Sequence, residues 1–231
     1  MRCIRHGATV GLFVAVLGTA VVSAQTEPAR TLDEVQSLNE TVAAGYVPLH
    51  DEWVPEMGIH WGVPGPAVVL AVTDGGTVAA YEIIVPEHVG WFPWFDQPEG
   101  EPMVHEVLGR VYTQHIYVTH PESVQQGSEP TFVEMTWSDL VAVNPHIADY
   151  VPISEFVPHM GYHYGPAEPG PALLVLVGRN DEVFGFEIIQ PADQGWQPWF
   201  DQPEGEPMEF PFGVAYTQHV YLVDPAGIDA N

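Results

Sequence analysis

The chain contains no lysine. Its five basic residues are all arginines, set against 31 aspartates and glutamates, and the formal charge is −26 at pH 7. So large a field of one sign repels phosphate backbones and anionic lipid headgroups, which argues against a nucleic-acid partner or a membrane-surface role. Cysteine is almost missing too. The single residue, Cys3, cannot form a disulfide within the chain, so stability must come from packing, a bound ligand or oligomerisation. Beyond the first two dozen residues no apolar run is long enough to span a bilayer, so stable membrane insertion is not expected. Also lacking are a glycine-rich phosphate loop, a Gly-x-Ser-x-Gly elbow and a nucleophilic cysteine, and acyl or phosphoryl transfer therefore has little support.

What is present begins with an address label. Met1, Arg2, Cys3, Ile4 and Arg5 form a short basic start, Ala8 to Val22 is apolar, and Val22-Ser23-Ala24 offers small residues for cleavage. Residues 1–24 are read as a signal peptide, which predicts a secreted or periplasmic protein. Loss of Arg2 and Arg5 with that segment leaves Arg30, Arg110 and Arg179 as the only basic residues. A lysine-free surface with surplus carboxylates resembles halophilic proteins, in which concentrated cations screen self-repulsion. With 46% apolar residues, the remaining chain can still build a sizeable core.

That remaining chain is one unit written twice. Pro93 to Met103 recurs letter for letter as Pro198 to Met208, and Tyr112-Thr113-Gln114-His115 recurs as Tyr216-Thr217-Gln218-His219. Upstream, Met57-Gly58-Ile59-His60-Trp61-Gly62 matches Met160-Gly161-Tyr162-His163-Tyr164-Gly165, and Tyr81-Glu82-Ile83-Ile84 matches Phe186-Glu187-Ile188-Ile189. The order of blocks is the same, which divides the chain into a first repeat over 25–126, a linker over 127–130 and a second repeat over 131–231.

Each repeat opens on a helix signal. Thr31-Leu32-Asp33-Glu34 has the capping-box pattern ahead of Val35, Leu38 and Val42, and Thr136-Trp137-Ser138-Asp139 opens the second repeat similarly. Ala67 to Thr73 and Val78 to Val85 flank Asp74-Gly75-Gly76 and predict a hairpin; Ala172 to Val177 and Val183 to Ile189 flank Arg179-Asn180-Asp181 in the same way. Val111 to Val118 and Val214 to Val223 read as a further strand. The expected fold is α+β and β-rich: a helix against an antiparallel sheet of three to five strands, twice, with the copies packed about a pseudo-twofold axis because a unit this small buries little surface alone.

Comparing the copies sorts the histidines. Only His60 with His163, and His115 with His219, recur. Beside them stands one recurrent carboxylate in an apolar strand, Glu82 and its counterpart Glu187, a costly residue there unless paired or bound to a cation. Two imidazoles and a carboxylate are the set with which zinc, iron, manganese or nickel sites leave coordination positions open. The candidate metal ligands are thus His60, Glu82 and His115, and His163, Glu187 and His219. A self-satisfied histidine–glutamate brace and metal-free acid–base chemistry are the competing readings. Strand alternation puts Thr113 on the His115 face and Gln114 on the other.

The second constellation is the proline-stiffened loop from Gly90 to Glu101, repeated from Gly195. Trp91, Trp94 and Asp96, with Trp196, Trp199 and Asp201, offer a stacking platform for a sugar or a cationic small-molecule ligand. The alternative is that the tryptophans plug a sheet end or an interface. Glu99 and Glu101 do not make a glycosidase pair, whose carboxyls need a fixed gap across a cleft.

The Met-Gly-x-His-[Trp/Tyr] blocks at Met57 and Met160, with the Glu-Ile-Ile and Tyr-Thr-Gln-His strands, resemble a family of exported bacterial tandem-domain proteins linked to the extracytoplasmic sigma-factor stress response. That resemblance implies a two-domain α+β protomer assembling into a homo-oligomer and supplies no established activity. Histidines and glutamate on a β scaffold also resemble bicupins, but the His-x-His spacing of cupins is missing. Two functions follow from the residues: binding of a metal ion or small ligand through the recurring His/Glu/His set, or a non-enzymatic homo-oligomeric envelope or stress-response protein in which these residues are structural.

Overall fold

The computed structural model describes residues 27–40, 45–106, 108–168, 170–210 and 213–228. The signal-peptide reading and the expected helical position Val42 lie outside them. Among the described residues no helix is long and apolar enough to cross a membrane.

The described residues form two α-helices and two antiparallel sheets. Helix α1 (Leu32–Leu38) precedes β1 (Val47–Pro48), β2 (Ile59–Gly62), β3 (Val69–Val72), β4 (Val78–Pro86), β5 (Met103–His105) and β6 (Gly109–Tyr117). Helix α2 (Trp137–Val143) precedes β7 (Val151–Pro152), β8 (Tyr162–Gly165), β9 (Leu173–Val177), β10 (Val183–Pro191), β11 (Met208–Phe210) and β12 (Gly213–Tyr221). The sheet orders match, β1-β2-β3-β4-β6-β5 and β7-β8-β9-β10-β12-β11. Each sheet has six strands, more than the three to five expected. The extra ones are edge pieces of two or three residues, too short to show a period-two pattern.

The helices form where the caps put them. Thr31 accepts from the Glu34 amide, and the Glu34 carboxylate accepts from the Thr31 amide, completing the capping box. Thr136 accepts from the Asp139 amide in the same way. Each helix start is pinned to the hairpin turn of its own repeat: Leu32 N–H donates to the Gly76 carbonyl and Trp137 N–H to the Asp181 carbonyl. Both turn residues sit at positive φ, 84° for Gly76 and 75° for Asp181, a region that glycine and, less freely, aspartate tolerate.

Each helix end is pinned to the other repeat. The Asn39 side chain exchanges two hydrogen bonds with the backbone of Tyr221, at 2.9 and 2.8 Å, and Asn144 does so with Tyr117, at 2.8 and 2.7 Å. Between the sheets Tyr81 stacks on Phe186 with ring centroids 4.2 Å apart, both rings fully buried. Gln114 reaches across to accept from Leu173 N–H and donate to the Tyr150 hydroxyl. Gln218 mirrors it on Val68 N–H and the Tyr46 hydroxyl. The two repeats therefore share one core, and buried polar groups in it are satisfied across the boundary between them.

Candidate metal centre

The site is assembled by strand register. Glu82 lies directly opposite His115 across β4 and β6, and Glu187 opposite His219 across β10 and β12, so each pair shares one sheet face with neighbouring side chains. His60 comes from β2, three strands from β6 in the sheet order. On a flat sheet that separation is about 14 Å. The His60 and His115 ring centroids are only 5.8 Å apart, and those of His163 and His219 are also 5.8 Å apart, so each sheet curls until its second strand faces its fifth.

The Met-Gly-x-His block fixes where β2 and β8 begin. Gly58 has φ +98°, and a Cβ there would lie 2.3 Å from the Val72 carbonyl oxygen; at Gly161 the corresponding approach is 2.6 Å to Val177. Only glycine lets β2 and β8 start this close to the next strand, which sets the position of the histidine two residues on.

The nitrogen and oxygen atoms then converge. His60 Nε2 is 3.4 Å from Glu82 Oε2, and His115 Nε2 is 3.3 Å from Glu82 Oε1. In the second repeat both distances, His163 Nε2 to Glu187 Oε2 and His219 Nε2 to Glu187 Oε1, are 3.4 Å. Within each triad the ligand atoms all lie within 4.8 Å of one another, and the glutamates are 3% exposed. All six candidate ligands are thus gathered into two sets of three.

The opposite ring nitrogens are held by the tryptophan loop. Asp96 Oδ2 is 2.7 Å from His115 Nδ1, and Asp201 Oδ2 is 2.7 Å from His219 Nδ1. A carboxylate only accepts, so this contact places the proton on Nδ1 and turns Nε2 toward the glutamate. The aspartate is itself fixed: Thr113 Oγ1 donates to it at 2.9 Å, and its backbone N–H bonds the Thr113 carbonyl. Gln97 then brackets Thr113, accepting from its N–H and donating to its hydroxyl; Asp201, Thr217 and Gln202 repeat the arrangement.

Asp96 and Asp201 therefore sit against the histidines. The tryptophans near them pack inward. Trp91 Nε1 donates to the Gln97 carbonyl and Trp196 Nε1 to the Gln202 carbonyl, which closes each loop on itself. Trp94 and Trp199 cross to the other repeat, donating to the carbonyls of Pro171 and Pro66, against Gly170 and Gly65, where any Cβ would crowd the indole.

Electrostatics within each triad are uneven. Burial, with neighbouring His115, His50 and His105, pushes His60 down to about 3, so it is neutral. Burial, with His219 nearby, lowers His163 to about 4. Burial raises Glu82 to about 7, with His115 opposing and Asp96 reinforcing; Glu187 rises to about 7 by burial, against the pull of His219. For His115 and His219 burial disfavours the cation, but the glutamate and aspartate on either side outweigh it and the shift is upward.

No protein-family model matches the chain, and no curated protein or solved structure matches it significantly.

One pair of participants gave no sign in the sequence. His60 Nδ1 is 2.7 Å from His50 Nε2, whereas His163 Nδ1 is 2.9 Å from Ser154 Oγ. Because the residue type differs between copies, a search for recurring residues passes over both.

Proposed function

We propose that the chain is an exported, acidic metal-binding protein. Each repeat takes one divalent transition-metal ion, zinc, iron, manganese or nickel, through His60, Glu82 and His115 or through His163, Glu187 and His219. One observation carries this reading. His115 Nε2, His219 Nε2 and Glu82 Oε2 are buried and have no hydrogen-bond partner among the described residues, although the other nitrogen of each of these rings is bonded to an aspartate. Lone pairs facing a buried carboxylate call for a cation beside them.

Two histidines and one carboxylate suit such ions and leave coordination positions for water or a small ligand. Asp96 and Asp201 would orient the metal-facing rings and raise their basicity. The reciprocal contacts of Asn39 with Tyr221 and Asn144 with Tyr117, and of the two glutamines, support packing of the repeats about a pseudo-twofold axis, so that the two sites are copies of one design.

The competing reading is a brace in which His115 and His219 carry a second proton and salt-bridge to the glutamates; their upward shifts favour it. Elemental analysis of tag-free protein separates the two. Binding predicts up to one ion per repeat, lost in the His115→Ala/His219→Ala double variant. A metal content near zero after incubation with each of the four ions, or one unchanged in the variant, refutes metal binding and leaves the metal-free readings, of which the brace is favoured by the upward shifts.

A further inference from the structure

The two triads agree in their ligand atoms and in the aspartate behind His115 and His219. They differ behind the other histidine. His50 Nε2 meets His60 Nδ1 at 2.7 Å, with ring centroids 4.8 Å apart and planes inclined by 51°. Ser154 Oγ meets His163 Nδ1 at 2.9 Å and also accepts the His163 backbone N–H at 3.1 Å. His50 and Ser154 occupy the same place, two residues beyond Pro48 of β1 and Pro152 of β7.

The acceptors are unlike in strength. An imidazole nitrogen offers one basic, undivided lone pair. A serine oxygen is a far weaker base, and with a metal on His163 Nε2 it would be shared between the Nδ1–H and the backbone N–H of that residue. The stronger the acceptor on the distal N–H of a ligating histidine, the more electron density its metal-facing nitrogen carries and the more firmly its tautomer is set.

We infer that the two metal positions are unequal, the first being the tighter, and that His50 is the positioning residue responsible. This rests on the metal-binding reading of the triads. Changes to such partners shift metal affinity by roughly 10- to 100-fold. The protein then fills in two steps, with the first repeat loaded over a range of free metal in which the second is still exchanging.

The test is a competitive titration of the full-length, chelator-stripped protein with Co(II), following the ligand-field spectrum, and with Zn(II) against a chromophoric chelator. Two steps about tenfold or more apart are expected. The His219→Ala variant keeps the tight step and His115→Ala the weak one, which assigns them. His50→Ser, which gives the first site the residue its counterpart already has, should merge the steps at the weaker affinity. Ser154→His should bring the second site toward the tighter one with a matching change in its cobalt spectrum, which a loss of packing would not produce. Two equal sites in the parent, a first site weaker than the second, or a His50→Ser titration that still shows the parent's two steps overturns the inference and leaves metal binding intact. No bound cobalt or zinc at either site refutes the metal reading itself.

Discussion

Replacing Gln114 with leucine removes a side chain that sits wholly inside the molecule yet belongs to the first repeat and serves the second. Gln114 is 0% exposed; its Oε1 accepts from Leu173 N–H at 2.7 Å and its Nε2 donates to the Tyr150 hydroxyl. Leucine nearly preserves the volume, so the cost comes from two polar groups left buried without their partner. At about 1–3 kcal/mol for each such group the loss is about 2–6 kcal/mol, a large part of the 5–15 kcal/mol typical of a folded domain. The counterpart variant Gln218→Leu should cost less, toward the lower half of that range, because the Tyr46 hydroxyl keeps the Val68 carbonyl as its acceptor. Urea denaturation followed by tryptophan fluorescence and by far-UV circular dichroism measures both. The indoles that cross between repeats, Trp94 and Trp199, make fluorescence a reporter of the junction. The expected result is a lower midpoint with an unchanged slope and one transition seen by both probes. A loss below 1 kcal/mol, or two transitions of which only one moves, would refute the view that the repeats form a single cooperative core.

Gly58→Ala forces a Cβ to within 2.3 Å of the Val72 carbonyl at a φ of +98°. It should destabilise the protein by about 3 kcal/mol or more and disturb the first site through His60, while the second is affected less; calorimetry with metal analysis checks this, and a neutral substitution would sink the account of the motif. The pH dependence follows from Glu82 and Glu187, each raised from 4.5 to about 7. In the metal-free protein the folded state holds these protons more tightly than the unfolded chain, so their contribution to stability declines as pH rises from 4.5 to 7 and is flat above. The Glu82→Gln/Glu187→Gln variant lacks that decline and should gain on the parent across this window in chelator-containing buffer; parallel stability curves from pH 4.5 to 7 would count against it.

The parts of this molecule that were legible beforehand are those encoded within a few residues or by repetition. The capping box at Thr31 and Glu34, the hairpin around Asp74-Gly75-Gly76 and the alternation that sets Thr113 and Gln114 on opposite faces depend on neighbours in the chain, and all three are present in the fold. Repetition isolated His60, Glu82 and His115 because they survive in both copies. Sheet curl had no such trace, and neither had the close approach of Gly58 to Val72, a contact between strands that no local pattern records. The strand edges were illegible for a different reason, since Val47–Pro48 and Met103–His105 are too short to alternate. Asn39 and Asn144 recur, yet their partners Tyr221 and Tyr117 lie in the opposite repeat, and a helix read within its own repeat gives no hint of that. The letter-for-letter identity of the tryptophan loop was visible as a fact without a cause. Its residues have matching tasks in both copies: Asp96 and Gln97 both reach Thr113, and Trp94 seats on the other repeat.

This last contact ties the chemistry of each site to the neighbouring repeat. The Nε2 lone pair of His115 points at Glu82 because Asp96 holds the Nδ1 proton. Asp96 is held by Thr113 and by a loop whose indole, Trp94, is anchored on the Pro171 carbonyl of the second repeat. On the far side of the same strand, Gln114, adjacent to His115, is bonded to Leu173 of that repeat as well. The second site repeats the chain of contacts through Asp201, Trp199 and Pro66 and through Gln218 and Val68. A triad histidine flanked in this way loses the support of its tautomer and position once the opposite repeat is gone, because both the loop behind it and the strand beneath it lose their anchors together. Duplication here supplies each site with the second half of its support, and this gives the residues outside the triads, the loop tryptophans and the strand glutamines, a reason to repeat as faithfully as the triad residues themselves.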